Sequence, residues 1–254
     1  MNAEQRPLSQ SCLAVIPARG GSKRIPRKNI KFFSGKPIIC WSIEAALKSG
    51  CFSDVIVSTD DPEITKIAIQ SGATVPFKRP DELSDDHTGT IPVIRHAIER
   101  QQDVENLEYV CCIYPTAPFI DPVVLKKGLN NLKHTGCDYV FPVTHFDYPI
   151  QRALRLNDCG HIEMLHPENF SARSQDLEIT YHDAGQFYWG KTSTWLASKP
   201  FFSSKFAISL SSELIFPIIT RASSGACLNA TRNMSIQFTL LRVRTLSISS
   251  IIFK

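Results

Sequence analysis

Five cationic side chains lie within ten residues of the chain, on a loop that contains two adjacent glycines. They are Arg19, Lys23, Arg24, Arg27 and Lys28, in the segment IPARGGSKRIPRKN at 16–29. Glycines let backbone N–H groups approach a phosphate closely, and guanidinium and ammonium groups neutralise its charge. A basic run by itself is more often a solvated surface loop. This run directly follows the apolar residues 13–16, which favours a phosphate-binding loop at the end of a buried strand.

Two common phosphate-binding motifs are absent from the sequence. The Walker motif needs Gly-Lys followed by Ser or Thr, but Gly35-Lys36 is followed by Pro37. The dinucleotide fingerprint G-x-G-x-x-G is missing, because Gly20 and Gly21 are adjacent. The sequence therefore predicts phosphate binding by another class of loop, and it argues against a P-loop kinase or a nicotinamide-dependent enzyme.

Short apolar runs alternate with helical segments as far as about residue 143. Strands are predicted at 13–16, 55–59, 109–114 and 138–143, and helices at 37–50, 62–72, 90–100 and 122–133. This alternation is typical of an α/β fold with a mostly parallel, doubly wound sheet and helices on both faces. Ligands bind at the carboxyl ends of the strands in such sheets. The cationic loop, the turn at 58–61 and the loop at 115–118 should therefore meet in one crevice.

The alternation ends after residue 143. We interpret residues 144–190 as an inserted, small β-rich lobe that carries a homodimer contact. Residues 206–254 are Ser-rich and contain one acidic residue, Glu213, and no aspartate. They show no sustained apolar period, so no element is predicted there. We therefore divide the chain into a domain at 1–206 and an atypical tail at 207–254.

The composition is that of an ordinary globular protein. The net charge of +4 is too mild to demand a nucleic-acid partner. The eight cysteines form no C-x-x-C pair, so we expect buried free thiols rather than a zinc knuckle or a thioredoxin-type motif. The start of the chain lacks the apolar segment of a signal peptide, and no apolar run is long enough to span a bilayer. These features predict a cytoplasmic protein with no nucleic-acid or membrane partner.

Four segments resemble the acylneuraminate cytidylyltransferases, the family of the CMP-sialic acid synthetases. They are PARGGSKRIPRKN at 17–29, VSTDD at 57–61, RPDELSDD at 79–86 and YPTAP at 114–118. Within that family the resemblance is strongest to the pseudaminic acid branch, through SDDHTGTIP at 84–92, PIQR at 149–152 and HDAGQFYW at 182–189. The resemblance implies a Rossmann-like sheet of the nucleotidyltransferase type.

The resemblance also implies a reaction. The anomeric hydroxyl of a nine-carbon, sialic-acid-like sugar attacks the α-phosphorus of CTP, and pyrophosphate leaves; this step needs positioning and charge neutralisation more than covalent chemistry. Arg19 and Lys28 are implied to contact the triphosphate and to act in catalysis. Further nucleotide contacts are implied for Ala18, Gly20, Gly21, Ser22, Asn29, Arg79 and Thr90. Of these, Arg79 is expected close to the cytosine, and Thr90 either contacts the nucleotide or caps a helix.

The resemblance places the sugar site on the later segments. Its implied residues are Gln151, Arg152, Asp183 and Gln186. Arg152 is our candidate for the sugar carboxylate, which a guanidinium binds bidentately, and a surface salt bridge is the alternative role. His182 is a minor acid–base candidate. Asp60 and Asp61 are candidate metal ligands only because of their residue type. Helix capping is the favoured role of Asp61.

The resemblance fails in the tail. The family carries an Asp-x-Asp motif near its C-terminal end that binds the catalytic Mg²⁺, and no such motif follows Trp195. We interpret the loss of acidic residues as a reading-frame change near residue 206, with sequence divergence as the alternative. We therefore expect Mg²⁺ from the family, assign no ligand to it, and expect weak or absent catalysis. A non-catalytic nucleotide-binding remnant and an enzyme for N-acetylneuraminic or legionaminic acid are the alternative functions.

Overall fold

A seven-stranded sheet forms the centre of the molecule. The structure is a computed structural model that describes residues 11–202 and the backbone of 206–210. In chain order the elements are β1 (Ser11–Pro17), β2 (Phe32–Phe33), β3 (Lys36–Pro37), α1 (Ile38–Ser49), β4 (Asp54–Ser58), α2 (Pro62–Gln70), α3 (Thr90–Glu99), β5 (Leu107–Ile113), α4 (Pro122–Thr135), β6 (Tyr139–His145), β7 (Leu154–Leu156), β8 (Ile162–Met164), β9 (Tyr181–Asp183), β10 (Phe187–Lys191), α5 (Thr192–Leu196) and β11 (Phe206–Leu210).

The sheet is mixed, with a parallel core. Its order is β11-β6-β10-β5-β1-β4, and β9 pairs with the last residues of β6. β1 runs parallel to both β4 and β5, and β11 runs parallel to β6. Only one strand in this path, β10, is antiparallel to its two neighbours within the described residues. The predicted α/β fold with a mostly parallel sheet is therefore confirmed.

Helices cover both faces of the sheet because the strand side chains alternate in direction. On one face Ala14 and Ile16 of β1 pack in a buried cluster with residues of α1, α2 and α4. On the other face Leu13 and Val15 pack in a second cluster with residues of α3 and with Trp195 of α5. A strand buried on both faces reads as a continuous apolar run, which explains why residues 13–16 are apolar throughout.

The helix ends follow local sequence signals, with one exception. Asp61 accepts hydrogen bonds from the backbone N–H groups of Glu63 and Ile64 and so caps α2, as predicted. For α3, helix capping, one of the two alternative roles of Thr90, is not observed. Gly89 occupies the capping position without a side-chain bond, and Thr90 is already the first helical residue. The Thr90 hydroxyl lies 3.4 Å from the Tyr114 hydroxyl instead.

The region after β6 contains the short antiparallel hairpin of β7 and β8. Its apolar side chains are exposed: Leu156 and Ile162 are both 70% exposed and Phe170 is 76% exposed. β9 and β10 then return the chain to the main sheet. β11 places the backbone of 206–210 beside β6, and residues 211–254, which hold most of the predicted tail, lie outside the described part of the chain.

Candidate active site

The cationic loop and the turn after β4 lie side by side at the carboxyl ends of β1 and β4. The Ala18 N–H donates to the Ser58 carbonyl at 2.9 Å, which extends the parallel pairing by one residue. The Gly20 N–H donates to Asp60 Oδ1 at 2.9 Å. Two of the three loops expected in one crevice are thus in direct contact. Ala18 is fully buried and its N–H is already bonded, so this N–H is not available to a ligand.

The two limbs of the loop are tied together by Asn29. Its Nδ2 donates to the Arg19 carbonyl at 2.9 Å, and the residue is only 4% exposed. Its Oδ1 is buried and has no hydrogen-bond partner among the described residues. A buried amide oxygen without a donor is costly, so Asn29 is suited both to shape the loop and to accept a bond from a ligand.

The loop encloses a polar cavity of about 280 Å³. The residues that line it are Arg19, Ser22, Lys23, Arg24, Lys28 and Asp86. Four of these six side chains are cationic, which is the charge expected of a polyphosphate site. Gly21 borders open space, so a side chain there would meet no atom within 4 Å.

An acidic turn closes over this cavity. Asp86 pairs with Arg19 at 2.8 Å and with Lys23 at 2.6 Å, and Arg19 also donates to the Asp85 carbonyl. The hydrogen bond from Lys23 holds the pKa of Asp86 below its usual value. Any anionic ligand of Arg19 and Lys23 must therefore compete with the Asp86 carboxylate. Sequence reasoning missed Asp86, although the two adjacent aspartates in SDDHTGT were a signal.

Lys28 differs from the other cations of the cavity. It forms no ion pair within the described part of the chain. Burial lowers its pKa, and the positive charges of Arg19 and Arg24 lower it further. The cavity therefore holds a cation whose charge is uncompensated, and a polyphosphate would supply the missing countercharge.

Arg79 lies beneath the turn after β4 and is only 3% exposed. Its Nε donates to Ser58 Oγ at 3.0 Å, and a second nitrogen donates to the Ser58 carbonyl. Burial lowers its pKa to about 10, although the charge of Asp60 acts in the opposite direction. Arg79 is thus adjacent to the cationic loop through Asp60 but is not part of the cavity lining.

A second group of polar side chains connects α3 to β9. Thr90 faces the Tyr114 hydroxyl, and the rings of Tyr114 and Tyr188 lie with centroids 5.3 Å apart. The Tyr188 hydroxyl donates to the Asp183 carboxylate, whose other oxygen accepts from the Gly185 N–H at 2.8 Å. The structure thus joins a residue predicted for the nucleotide to one predicted for the sugar. Sequence reasoning assigned no role to Tyr188, because a tyrosine within an apolar strand reads as core.

Of the other residues predicted for the sugar, Gln186 contributes a backbone contact. Its carbonyl accepts from the Tyr114 N–H at 2.9 Å, which holds β10 against the loop after β5. His182 directs Nδ1 to the Asp183 carbonyl at 2.9 Å, and its ring packs on Phe146. These contacts fix the orientation of the ring, and the acid–base role of His182 stays a prediction.

Gln151 and Arg152 lie in a short 3₁₀ turn at the entrance to the lobe. Gln151 donates to the Glu178 carbonyl at 2.9 Å, and Arg152 donates to the Ala172 carbonyl. Gln151 Oε1 and Arg152 Nε are buried without a partner among the described residues. Arg152 forms no salt bridge with any described residue. Its guanidinium therefore has N–H donors left for a ligand.

Asp60 and Asp61, the residues named as metal ligands by residue type, are both engaged in other contacts. Asp60 accepts the Gly20 N–H, and Asp61 caps α2 and pairs with Arg27. In residues 11–202 and 206–210 there is no group of three or more histidine, cysteine, aspartate or glutamate side chains placed to hold a metal ion. Mg²⁺ prefers oxygen ligands, and none is assigned to it among the described residues.

Comparisons with known proteins relate this geometry to an activity. The sequence model of a family described as cytidylyltransferase matches residues 13–183. A pseudaminic acid cytidylyltransferase of Campylobacter jejuni is 46% identical over 185 residues, which cover 72% of this chain and 80% of the relative. A CMP-N,N'-diacetyllegionaminic acid synthase of Legionella pneumophila is 34% identical over 202 residues, which cover 75% and 82% of the two chains.

The fold is also found among solved structures. A CMP:2-keto-3-deoxy-manno-octonic acid synthetase, determined with CTP, superposes with a TM-score of 0.60 at 16% identity. The superposition covers 79% of this chain and 90% of that protein. At this identity the likeness concerns the fold alone. Within the described residues, no helix is long and apolar enough to cross a membrane.

Proposed function

We propose that this chain, which belongs to the cytidylyltransferase family, transfers CMP from CTP to the anomeric hydroxyl of a nine-carbon, sialic-acid-like sugar and releases pyrophosphate. The family expected from the sequence is thereby confirmed. Pseudaminic acid is the proposed sugar, because the relative at 46% identity is a pseudaminic acid cytidylyltransferase. The observation that carries the proposal is the cavity lined by four cations on the glycine-containing loop after β1.

The cationic loop is proposed to bind the triphosphate of CTP. Arg19 and Lys28 contact its phosphates, and Ser22 and Asn29 bind phosphate or ribose oxygens. When the oxygen of the sugar hydroxyl bonds to the α-phosphorus, the hydroxyl releases its proton to solvent, the bond from that phosphorus to its bridging oxygen breaks, and negative charge grows on the departing pyrophosphate. Fixed cations stabilise this charge without reorganising, which is the largest contribution a protein makes to such a step.

Gln151, Arg152, Asp183 and Gln186 are proposed to form the sugar site. The unpartnered, buried Nε of Arg152 supports a contact with the sugar carboxylate. The Tyr188 hydroxyl and the Gly185 N–H hold Asp183 in one orientation. This orientation suits a carboxylate that accepts hydrogen bonds from sugar hydroxyl groups.

We expect the reaction to require Mg²⁺ because the family resemblance implies it, and we assign no ligand to the ion. We retain the hypothesis of a reading-frame change near residue 206, which predicts that CTP binds while turnover is weak. Sequencing of the coding DNA tests the hypothesis directly. If no alternative frame past codon 206 encodes an Asp-x-Asp segment, sequence divergence is the explanation.

The lobe is proposed to carry a homodimer contact in a cytoplasmic enzyme. Its exposed apolar side chains, including those of Leu156, Ile162 and Phe170, support this proposal, since large exposed apolar areas usually mark interaction surfaces. Sedimentation equilibrium of the wild type and of a variant with charged residues at these three positions tests it. A monomeric wild type excludes the dimer.

Two measurements test the proposed function in sequence. Calorimetry with CTP alone reports on the nucleotide site, and pyrophosphate release with pseudaminic, legionaminic and N-acetylneuraminic acids reports on the transfer and the sugar. Binding of CTP without turnover of any sugar would favour the nucleotide-binding remnant. Absence of CTP binding by folded protein would exclude the proposed function altogether.

A further inference from the structure

We infer that Arg27 is a positioning residue, which fastens the cationic loop to the N-terminus of α2 and so holds Arg19 and Lys28 in place before a nucleotide binds. The link consists of Arg27, Asp61 and Glu63, and we call it the loop clamp. Its effect on CTP rests on the proposed function, whereas its effect on the free loop does not.

The contacts of Arg27 are bidentate and reach two acidic residues. One terminal nitrogen pairs with Asp61 Oδ2, and the other lies 3.1 Å from Asp61 Oδ1 and also pairs with Glu63. The Arg27 side chain is 41% exposed, but that of Asp61 is only 14% exposed. A guanidinium that binds both oxygens of a nearly buried carboxylate is held in one orientation. A single contact between two exposed side chains does not fix the orientation in this way.

Asp61 is itself held by the start of α2. It caps α2 by accepting from the N–H groups of Glu63 at 2.9 Å and Ile64 at 3.0 Å. α2 is anchored to the core through Ile64 and Ala68, which are 1% and 0% exposed. The hydrogen bond from Arg27 holds the pKa of Asp61 below its usual value, so the carboxylate is charged at neutral pH. Arg27 therefore joins the loop to a fixed point of the scaffold.

The backbone supports the same conclusion. Arg27 has φ 55° and ψ 33°, in the left-handed region that non-glycine residues disfavour. An arginine remains there when its surroundings compensate for the unfavourable conformation, and such outliers point to a function. The compensation observed here is the contact with the two carboxylates.

The other limb of the loop meets the same aspartate. A Cβ atom at Gly20 would lie 2.6 Å from Asp61 Oδ2, so only glycine allows this approach. Both ends of the segment 20–27 therefore lie against Asp61. This segment carries Ser22, Lys23 and Arg24. Lys28 directly follows the fastened residue.

Direct binding of phosphate by Arg27 is the competing explanation, and the geometry disfavours it. Both terminal nitrogens of Arg27 are engaged by carboxylates. The cavity lining contains four cations of the loop, and Arg27 is not one of them. Arg27 therefore acts through the position of its neighbours.

Hydrogen exchange of the free, full-length protein tests the loop clamp without any nucleotide. In R27G the glycine adopts φ 55° without strain, so the fold should be retained while the side-chain contacts are lost; D61N, which leaves the loop backbone unchanged, separates this loss from the added freedom of the glycine. Amides at 20–30 should exchange about tenfold faster in R27G. D61N keeps a capping side chain but lacks the charge, and it should produce a similar increase. The double variant should show little further change, because both substitutions break one link.

The matched control is R95A, which removes a surface pair between Arg95 and Glu99 at 2.7 Å and should leave loop exchange unchanged.

Affinity for CTP, measured by calorimetry, should fall about tenfold in R27G while the melting temperature stays constant. R27K should recover only part of this loss. Wild-type exchange rates in R27G, or fully additive effects of R27G and D61N, would overturn the inference. Failure of the wild type to bind CTP would instead count against the proposed function.

Discussion

The nucleotide half and the sugar half of the candidate site are built in different ways. The cationic loop is fastened to the central sheet and to α2, and its neighbours Asn29 and Arg79 are 4% and 3% exposed. The lobe that carries Gln151 and Arg152 rests on short strands and exposes Leu156 and Phe170. Sites held by rigid, buried elements are more precise than sites on loops. The proposed nucleotide half is therefore held by buried elements of the scaffold, whereas the proposed sugar half lies largely on an exposed lobe.

The largest effect is expected in the nucleotide half, from K28M. Burial and the positive charges of its neighbours disfavour the protonated form of Lys28. A bound polyphosphate would supply a countercharge for this side chain. Its removal should lower turnover about 100- to 1000-fold, as the loss of one preorganised electrostatic contact does. Pyrophosphate release under single-turnover conditions is the measurement. K66M, at an exposed position of α2, is the matched control, and an equal loss in both variants would contradict the assignment.

A smaller effect, confined to the sugar half, is expected from R152M. A lost hydrogen-bonded contact with a carboxylate should raise the KM for the sugar about 10- to 100-fold. The affinity for CTP should stay unchanged, because Arg152 lies on the lobe and not in the cationic cavity. R155M is the control, since Arg155 pairs with Glu163 on the exposed hairpin. A parallel loss of CTP affinity in R152M would show that the two halves are not separable.

An increase in affinity is expected from D86N. The carboxylate of Asp86 occupies Arg19 and Lys23 in the free protein, so its neutralisation should tighten CTP binding about three- to tenfold, the modest range of partly exposed ion pairs. Calorimetry with CTP measures it, and D81N, which removes an exposed carboxylate 4.0 Å from Lys78, is the control. Weaker binding in D86N would mean that Asp86 contacts the bound nucleotide favourably.

The smallest effect expected is a dependence of CTP affinity on alkaline pH. Burial lowers the pKa of Lys28 in the free protein, and bound phosphate favours the protonated form. Affinity should therefore be greatest at neutral pH and decline as rising pH deprotonates Lys28 in the free protein. K28R should abolish the decline, because a guanidinium stays charged. A decline of equal size in K28R would assign it to another group.

Local signals predicted much of the scaffold. The apolar run at 13–16, the aspartate and proline at 61–62 and the glycine after α1 correctly indicated a buried strand, the start of α2 and the end of α1. Capping of α3 by Thr90 is not observed, because Thr90 is already the first helical residue, and its hydroxyl lies 3.4 Å from that of Tyr114, which is distant in the sequence. Local patterns do not contain such contacts.

The family, the α/β class and the cationic character of the loop follow from the amino-acid sequence, because residue types, periodicity and adjacent glycines act over short stretches of chain. Which charges meet depends instead on how the chain folds. The pairing of Asp86 with Arg19 spans 67 residues, that of Arg27 with Asp61 spans 34, and the contact of Tyr188 with Asp183 depends on the return of the chain to the sheet. The energy of a charge depends on its burial and its partners, and those are properties of the folded chain.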